Sequence, residues 1–262
     1  MDISVTETIE AAAYADILRA APADWRAVGE ETPHGWLLTT PIADMLLLNR
    51  IIGCGVSQPA QETGLRELVA RLRETGVTNF GVQLAPGAMP TNIDRWLAAE
   101  GLAVRDRRSK VFRDARDVDP IKTDLRVELA RAEHANVVAD VTTRGFGMPP
   151  AFKPWVAALA RRPQWHFYLA WNGDEAVAAG ALFVRGTIGW LGIGSTLPAA
   201  RRRGAQGALM ARRLIEGAAF GCKGFVTETG EDTTQRPNPS FRNMMRAGFT
   251  VAYQRPNFMP QP

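Results

Sequence analysis

The residues best suited to chemistry lie between Ser195 and Met210, where an apolar stretch leads through a turn rich in arginine and glycine into a helical pattern. The turn reads Arg201-Arg-Arg-Gly-Ala-Gln-Gly-Ala-Leu209. Small residues let backbone N–H groups approach a bulky anion, and a helix N-terminus adds a partial positive charge. The arginines add full charges around the same point. This combination favours the binding of a pyrophosphate, although an arginine-rich turn before a helix is also common on a solvated face.

The elements around this turn follow from hydrophobic periodicity and turn residues. Three short strands precede it, separated by Asn172-Gly173-Asp174 and Arg185-Gly186. A helix with a glycine stop, a strand, a second helix and a last strand follow it. The predicted strands are Trp165–Trp171, Ala176–Arg185, Ile188–Thr196, Gly224–Thr229 and a final one to about Phe258. The predicted helices are Ala208–Phe220 and one from Asn238-Pro239-Ser240 to Ala247-Gly248-Phe249.

This order of elements, the Arg-x-x-Gly-x-x-x-Ala-Leu turn and the closing Arg-Ala-Gly-Phe249 resemble the GNAT (GCN5-related N-acetyltransferase) superfamily over roughly Asp124 to Met259. Other phosphate-binding loops do not fit, since no G-x-x-x-x-G-K-[ST] occurs and Gly192-x-Gly194 lacks a third glycine. The resemblance implies an α/β fold with a mixed central sheet flanked by helices. It also implies acetyl-CoA as a cosubstrate.

In the fold that the sequence resembles, two adjacent parallel strands separate and the pantetheine arm of the coenzyme lies between them. Here those strands would be Ile188–Thr196 and Gly224–Thr229, with the pyrophosphate on the N–H groups of the turn. Asn238 and Ser240 would contact the coenzyme from the second helix, or would simply cap that helix. The resemblance therefore implies a binding set of Ser195, Thr196, Leu197, Arg202, Arg203, Gly204, Ala205, Gln206, Gly207, Ala208, Asn238 and Ser240.

Reaction by direct attack of a neutral amine on the thioester requires a base, an oxyanion donor and an acid for the thiolate. Glu228 and then Glu231 are the candidate bases, because they follow the strand that borders the opening. A solvated loop glutamate is the alternative role for Glu228. The chain departs from the superfamily pattern at two positions. Gln206 stands where glycine or alanine is usual, and Met244 stands where a tyrosine acid is frequent, so no general acid is identified.

Two parts of the chain repeat the same order of elements. Gly76 and Phe80 match Gly221 and Phe225 at an offset of 145, and Gly101 matches Gly248 at an offset of 147. Such periods indicate repeated structural units. The positions that match the arginine-rich turn, 56–62, hold neither glycine nor arginine. We therefore predict a degenerate GNAT-like domain over residues 1–118, a linker at 114–120, and a GNAT domain over residues 119–262.

Composition limits the remaining possibilities. The 262 residues are 46% hydrophobic and 22% charged, without an apolar run of transmembrane length, and the polar N-terminus predicts no signal peptide. Two cysteines and three histidines argue against a disulfide framework and against a metal site, and favour the cytoplasm. The net charge of +4 invites nucleic-acid binding, but the chain has no basic tail and no zinc-finger spacing.

The sequence thus predicts an acetyl-CoA-dependent N-acetyltransferase that acts on an amine of a small molecule or a protein. The alternative from another functional class is an acyl-CoA-binding module without catalysis, which the methionine at position 244 favours. The amine acceptor and the oligomeric state are not specified by these residues, because acceptor loops vary independently of the fold.

Overall fold

The computed structural model describes residues 2–116 and 118–261; Asp117, which is part of the predicted linker, lies outside them. The chain forms two compact units. Unit 1 comprises Met1–Val111, Glu228–Asn238 and Val251–Pro262, and unit 2 comprises Phe112–Thr227 and Pro239–Thr250. Neither unit is therefore one continuous stretch. The division into two domains near residue 118 stays a prediction.

Unit 1 is a mixed sheet with helices packed against it. Its strands lie in the order β1-β2-β3-β4-β11-β5, with β3 parallel to β4 and antiparallel to β2. Its helices are α1 (Ile3–Arg19), α2 (Glu62–Glu74) and α3 (Ile93–Ala99). Its strands are β1 (Val28–Thr32), β2 (Gly35–Thr39), β3 (Arg50–Ile52), β4 (Gly81–Gln83) and most of β5 (Leu102–Asp114) and β11 (Thr250–Pro260).

The core of unit 1 forms because α2 has a continuous apolar face. Leu65, Leu68 and Leu72 recur at helical spacing, and all three are buried. They share one hydrophobic cluster with Ile51 of β3 and Val82 of β4. The two short parallel strands are thus covered by the helix that connects them, which is the usual arrangement of a parallel strand pair.

Unit 2 is a second mixed sheet, with strands in the order β10-β9-β8-β7-β6. Its strands pair antiparallel except for β9 and β10, which are parallel. The strands are β6 (Arg126–Leu129), β7 (Trp165–Asn172), β8 (Glu175–Arg185), β9 (Ile188–Thr196) and most of β10 (Gly224–Gly230). The helices are α4 (Ala135–Phe146), α5 (Lys153–Leu159), α6 (Ala205–Ala219) and α7 (Pro239–Arg246).

The elements that the sequence predicted in this half are confirmed to within a few residues. The strands before the arginine-rich turn are β7, β8 and β9, and the helix after it is α6. α6 begins three residues earlier than predicted, at Ala205, and its chain reverses at Gly221 with φ of 92°. In each half of the chain, a helix, a strand, a second helix and a strand occur in the predicted order. Whether residues 1–118 superpose on the second half stays a prediction.

Among the described residues, no helix is both long and apolar enough to cross a membrane. The same part of the chain contains no group of three or more histidine, cysteine and acidic side chains that could hold a metal ion. Cys54 and Cys222 are both buried and free.

Candidate active site

The parallel strands β9 and β10 pair only along their first residues. The register joins Gly224 to Ile188, Phe225 to Gly189 and Val226 to Trp190, and within the described residues no pairing of these two strands extends further. β9 itself continues to Thr196. Its second half is therefore a strand edge without β10 as a partner, and such an edge can receive an extended chain through backbone hydrogen bonds.

A bulge in β9 explains the separation. The register with β8 shifts between Ala179, which faces Ser195, and Ala181, which faces Gly192. Ile193 and Gly194 of β9 therefore lie opposite the single residue Gly180 of β8. Ile193 has a φ of 52°, which is rare for a branched side chain. A bulge bends its strand and increases the local twist. Strained backbone of this kind often accompanies function, and here it lies where β9 leaves β10.

Arg213 of α6 holds this bulge from beneath. Its guanidinium is buried and donates hydrogen bonds to the carbonyl oxygens of Ala181 at 3.0 Å and Gly192 at 3.3 Å. Gly180 leaves room for it, since a Cβ at that position would lie 2.9 Å from the guanidinium carbon. No carboxylate among the described residues pairs with Arg213, and burial lowers its pKa to about 10. The arginine thus ties the helix to the irregular part of β9.

Close packing also fixes the direction of α6. A Cβ on Gly217 would lie 2.5 Å from the Phe225 ring, and a Cβ on Gly189 would lie 2.8 Å from it. Phe225 is buried, so the two glycines let its ring fill the space among α6, β9 and β10. At the other end of the helix, Gln206 of the first turn of α6 contacts Ser195 and Thr196 at the end of β9.

The turn before α6 has the backbone form of an anion-binding loop. Arg202 and Gly204 have φ of 64° and 81°, and Gly204 is the N-cap without a side-chain hydrogen bond. The first N–H groups of the helix therefore have no side-chain cap. Gly207 packs closely within unit 2, because a Cβ there would lie 3.0 Å from the Ile121 side chain. Its approach to phosphate stays a prediction.

The arginines near this turn divide into distinct roles. Arg201 and Arg202 are exposed, whereas the Arg203 guanidinium donates to Asp124 and to Asn172. The hydrogen bond from Arg203 lowers the pKa of the exposed Asp124 carboxyl. Arg212 pairs with Glu216 along the helix. Arg203 and Arg212 are therefore paired with side chains of the protein, whereas Arg201 and Arg202 are exposed to solvent at the turn.

The remaining residues of the predicted binding set in unit 2 lie close to the turn. Ser195 and Leu197 are buried, and the Ser195 hydroxyl has no hydrogen-bond partner in the described part of the chain. Ala205 and Ala208 are buried on the inner face of α6. Gln206 is half-buried, and its Nε2 donates to the Ser195 carbonyl at 2.9 Å and to Thr196 Oγ1 at 2.8 Å. Its side chain therefore does not point away from β9.

Glu228 lies in a buried ionic cluster of unit 1. Its carboxylate accepts from Arg50 Nη1 at 2.9 Å and from Arg255, and only 5% of its side chain is exposed. Glu10 binds both arginines as well as Lys110. Burial alone would raise the pKa of Glu228, but the charges of Arg255 and Arg50 outweigh burial and lower it well below the ordinary value. A carboxylate held in this way is a weak base, so the geometry disfavours the predicted catalytic role, which itself stays untested.

Further members of the cluster come from α1 and β11. Arg255 donates to Glu7 at 2.9 and 2.8 Å, and Tyr253 donates to the same carboxylate at 2.5 Å. The Arg50 guanidinium lies 4.2 Å from the centre of the Tyr14 ring. Burial raises the pKa of Tyr253, and the Glu7 carboxylate that accepts its hydrogen bond raises it further.

The other predicted catalytic and binding residues occupy different settings. Glu231 follows β10, is half-buried, and makes no side-chain hydrogen bond or ion pair with the described residues. Asn238 donates through Nδ2 to Thr229 Oγ1 at 3.0 Å and to the Gly230 carbonyl at 2.7 Å. Ser240 is exposed at the start of α7 in unit 2. Met244, at the position of the expected acid, is a buried residue of the same helix.

Comparison with known proteins concerns the fold. No protein-family model and no curated protein sequence matches the chain. A GCN5-related N-acetyltransferase from Kribbella flavida is similar with a TM-score of 0.60 and 16% identity over 99% of this chain and 97% of that one. A GCN5-related N-acetyltransferase from Sphaerobacter thermophilus has a TM-score of 0.58 and 14% identity, covering 75% and 67%. A tandem GNAT protein from the clavulanic acid biosynthesis pathway has a TM-score of 0.55 and 14% identity, covering 80% and 73%.

The chain thus has the mixed α/β fold of the GNAT acetyltransferases, and the predicted fold class is confirmed. The residues present in unit 2 fit acetyl-CoA in two respects: the free edge of β9 and the helix N-terminus without a side-chain cap. Gln206 departs from the superfamily pattern, and its amide binds the Ser195 carbonyl and the Thr196 hydroxyl.

Proposed function

We propose that this protein is an acyl-CoA-dependent N-acyltransferase that transfers an acetyl group from acetyl-CoA directly to an amine. The observation that carries the proposal is the separation of β9 from β10 beside the glycine-capped N-terminus of α6. An extended amide-bearing arm fits a free strand edge, and a pyrophosphate fits an unpartnered helix N-terminus. The structural neighbours support an acyltransferase fold, while the acetyl donor, the amine acceptor and a cytoplasmic location belong to the proposal.

The chemistry requires one bond to form and one to break. The nitrogen of a neutral amine attacks the thioester carbonyl carbon, the C–S bond breaks, the amine loses a proton and the thiolate gains one. The amine proton must pass to a positioned base. Glu228 is held by Arg50 and Arg255, whereas no guanidinium among the described residues pairs with Glu231, so Glu231 is the first base to test.

Binding and turnover are tested separately. Calorimetry with acetyl-CoA measures affinity, and release of free thiol in the presence of pools of small amines and amine-bearing peptides measures transfer. Saturable binding together with amine-dependent thiol release supports the transferase. Absence of acetyl-CoA binding would refute the proposal.

The candidate bases are distinguished by two matched substitutions. We expect Glu231→Gln to lower kcat by about 10²–10⁴-fold at unchanged acetyl-CoA affinity, because a positioned base contributes on that scale. Glu228→Gln should change kcat per folded molecule by less than about threefold, below the effect of such a base. The reverse result would assign the proton transfer to Glu228, as the sequence first predicted.

A second function, acyl-CoA binding without catalysis, is favoured by the buried apolar Met244 at the position of the expected acid. It predicts tight acetyl-CoA binding without thiol release from any amine pool. The two assays above therefore separate the transferase from this alternative.

A further inference from the structure

Arg213 is a buried cation that binds main-chain carbonyl oxygens. Its Nε donates to the Leu209 carbonyl of its own helix at 3.0 Å, and its Nη1 donates to the carbonyls of Ala181 and Gly192 at 3.0 and 3.3 Å. No carboxylate among the described residues pairs with it. Burial of a charge is costly unless it is well satisfied, and an apolar side chain at this position would avoid that cost. What the arginine adds is its hold on these carbonyls.

Two of the three carbonyls belong to the strand pair at which the bulge of β9 begins. Two residues of β9 lie opposite Gly180 alone, and the neighbouring pair is Ala181 with Gly192. Arg213 therefore binds both residues of that pair. Ile193 follows directly, with a φ of 52°. Such a conformation is costly and persists only where its surroundings impose it.

The bulge lies where β9 no longer has β10 as a partner. The described pairing of the two strands ends at Val226 and Trp190, two positions before Gly192. Alternate residues of a strand present their backbone N–H and C=O groups to opposite neighbours. Loss of the extra residue would shift the later part of β9 by one position and would exchange the residues that face its free edge. The bulge thus determines which backbone groups an incoming chain meets.

We propose that Arg213 is a positioning residue for the arm of acyl-CoA: by holding the bulge of β9, it sets the affinity of the free strand edge for that arm. The inference rests on the proposed function, since it requires that the arm binds along this edge. Arg213 acts through the backbone of β9 and does not itself touch the coenzyme. Without its hydrogen bonds, part of the molecules lose the bulge, and the apparent affinity falls with the fraction that keeps it.

Two substitutions remove these hydrogen bonds in different ways. Arg213→Met deletes the guanidinium and keeps an unbranched side chain. Gly180→Ala leaves the arginine in the chain but places a Cβ 2.9 Å from its guanidinium carbon, so the flexible end of the side chain has to move off the carbonyls. Gly180→Ala also serves as the test if Arg213→Met does not fold. Leu214→Ala is the matched control, because it truncates the next residue of α6, whose side chain is buried and apolar.

Calorimetry on the full chain compares acetyl-CoA with adenosine 3′,5′-bisphosphate, which has phosphates and no arm. Arg213→Met and Gly180→Ala should weaken acetyl-CoA binding by about ten- to hundredfold, because hydrogen bonds from a charged group contribute on that scale. Neither should change the affinity for the bisphosphate. Leu214→Ala should leave both affinities unchanged, although it destabilises the fold. In the thiol-release assay, the loss should appear in KM for acetyl-CoA rather than in kcat.

Three results would overturn the inference while the proposed function stands. The first is wild-type acetyl-CoA affinity in either Arg213→Met or Gly180→Ala. The second is an equal loss for both ligands, which would place the effect at the loop before α6. The third is an equal loss in Leu214→Ala, which would make the packing of α6 responsible. If the wild-type protein itself does not bind acetyl-CoA, the proposed function fails and the inference fails with it.

Discussion

Replacement of Glu228 by glutamine tests whether its carboxylate is a structural charge in unit 1. The substitution keeps the shape of the side chain and removes its charge. In the buried ionic cluster, the carboxylates of Glu7, Glu10 and Glu228 form ion pairs with three cationic side chains. These are Arg50, Lys110 and Arg255. Glutamine at position 228 would leave one buried positive charge in excess.

The expected cost follows from the partners that remain. Breaking a buried ion pair by removing one partner destabilises a protein by about 3–5 kcal/mol. Arg255 keeps Glu7 and Glu10, and Arg50 keeps Glu10 and the Gln83 side chain at 2.5 Å. We therefore expect the lower end, about 3 kcal/mol. For a chain of this size that loss lowers the melting temperature by about 6–12 °C.

The pH dependence gives an independent check. The pKa of Glu228 is lowered in the folded state from its ordinary value of 4.5. A lowered carboxyl pKa stabilises the fold above the unfolded-state pKa, and this contribution is lost as the pH falls below it. The difference in melting temperature between wild type and Glu228→Gln should therefore be full near neutral pH. It should shrink as the pH is lowered from about 4.5, the unfolded-state value.

Differential scanning calorimetry measures both effects, with Glu62→Gln as the control. Glu62 pairs with Arg66 at 2.8 Å on an exposed face of α2, and such pairs contribute at most about 1 kcal/mol. The reasoning is refuted if Glu228→Gln melts within about 2 °C of wild type, which corresponds to less than 1 kcal/mol. Glu228 would then be solvated in solution and free to act as a base.

Three further predictions concern the coenzyme loop, a thiol and the core. Gly204→Asp should weaken acetyl-CoA binding by more than about tenfold relative to Gly204→Asn in calorimetry. Aspartate and asparagine both tolerate positive φ, but only the aspartate carboxylate repels phosphate. Equal affinities of the two variants would contradict the loop assignment. Cys54 should resist a thiol reagent at about pH 8 until the protein unfolds, because burial raises its pKa to about 12; rapid labelling of the native protein would disprove this. Leu214→Ala should lower the free energy of unfolding by about 2–5 kcal/mol in denaturant titration, because Leu214 is fully buried in α6. A decrease below about 1 kcal/mol would show that Leu214 is not packed as described.

The sequence predicted the local parts of this structure well. Asn172-Gly173-Asp174 and Arg185-Gly186 mark turns by local backbone preference, and the strands that they separate were located to within one or two residues. The loop before α6 was found because glycine and arginine at fixed spacing suit an anion. These signals lie within a few residues of the features that they predict.

What the sequence did not predict depends on contacts between distant residues. Arg50 and Arg255 lie far along the chain from Glu228, and nothing in the local pattern marks them as its partners. Arg213 is buried on the inner face of α6, and its hydrogen bonds to the carbonyls of Ala181 and Gly192 depend on where β8 and β9 lie. The direction of the Gln206 side chain required the position of β9, which is likewise a tertiary property.

The division of the two units has a consequence for synthesis of the chain. Domains generally fold as units in N-terminal to C-terminal order while the chain is being made. Unit 1 includes Glu228–Asn238 and Val251–Pro262, and unit 2 includes Pro239–Thr250, so each is completed by late segments. A nascent chain that ends near residue 118 does not yet contain Arg255. Glu7 and Glu10 of α1 would then lack this partner. We therefore expect each unit to complete its folding only after most of the chain has been synthesised. Neither unit can be produced as one contiguous fragment of the chain.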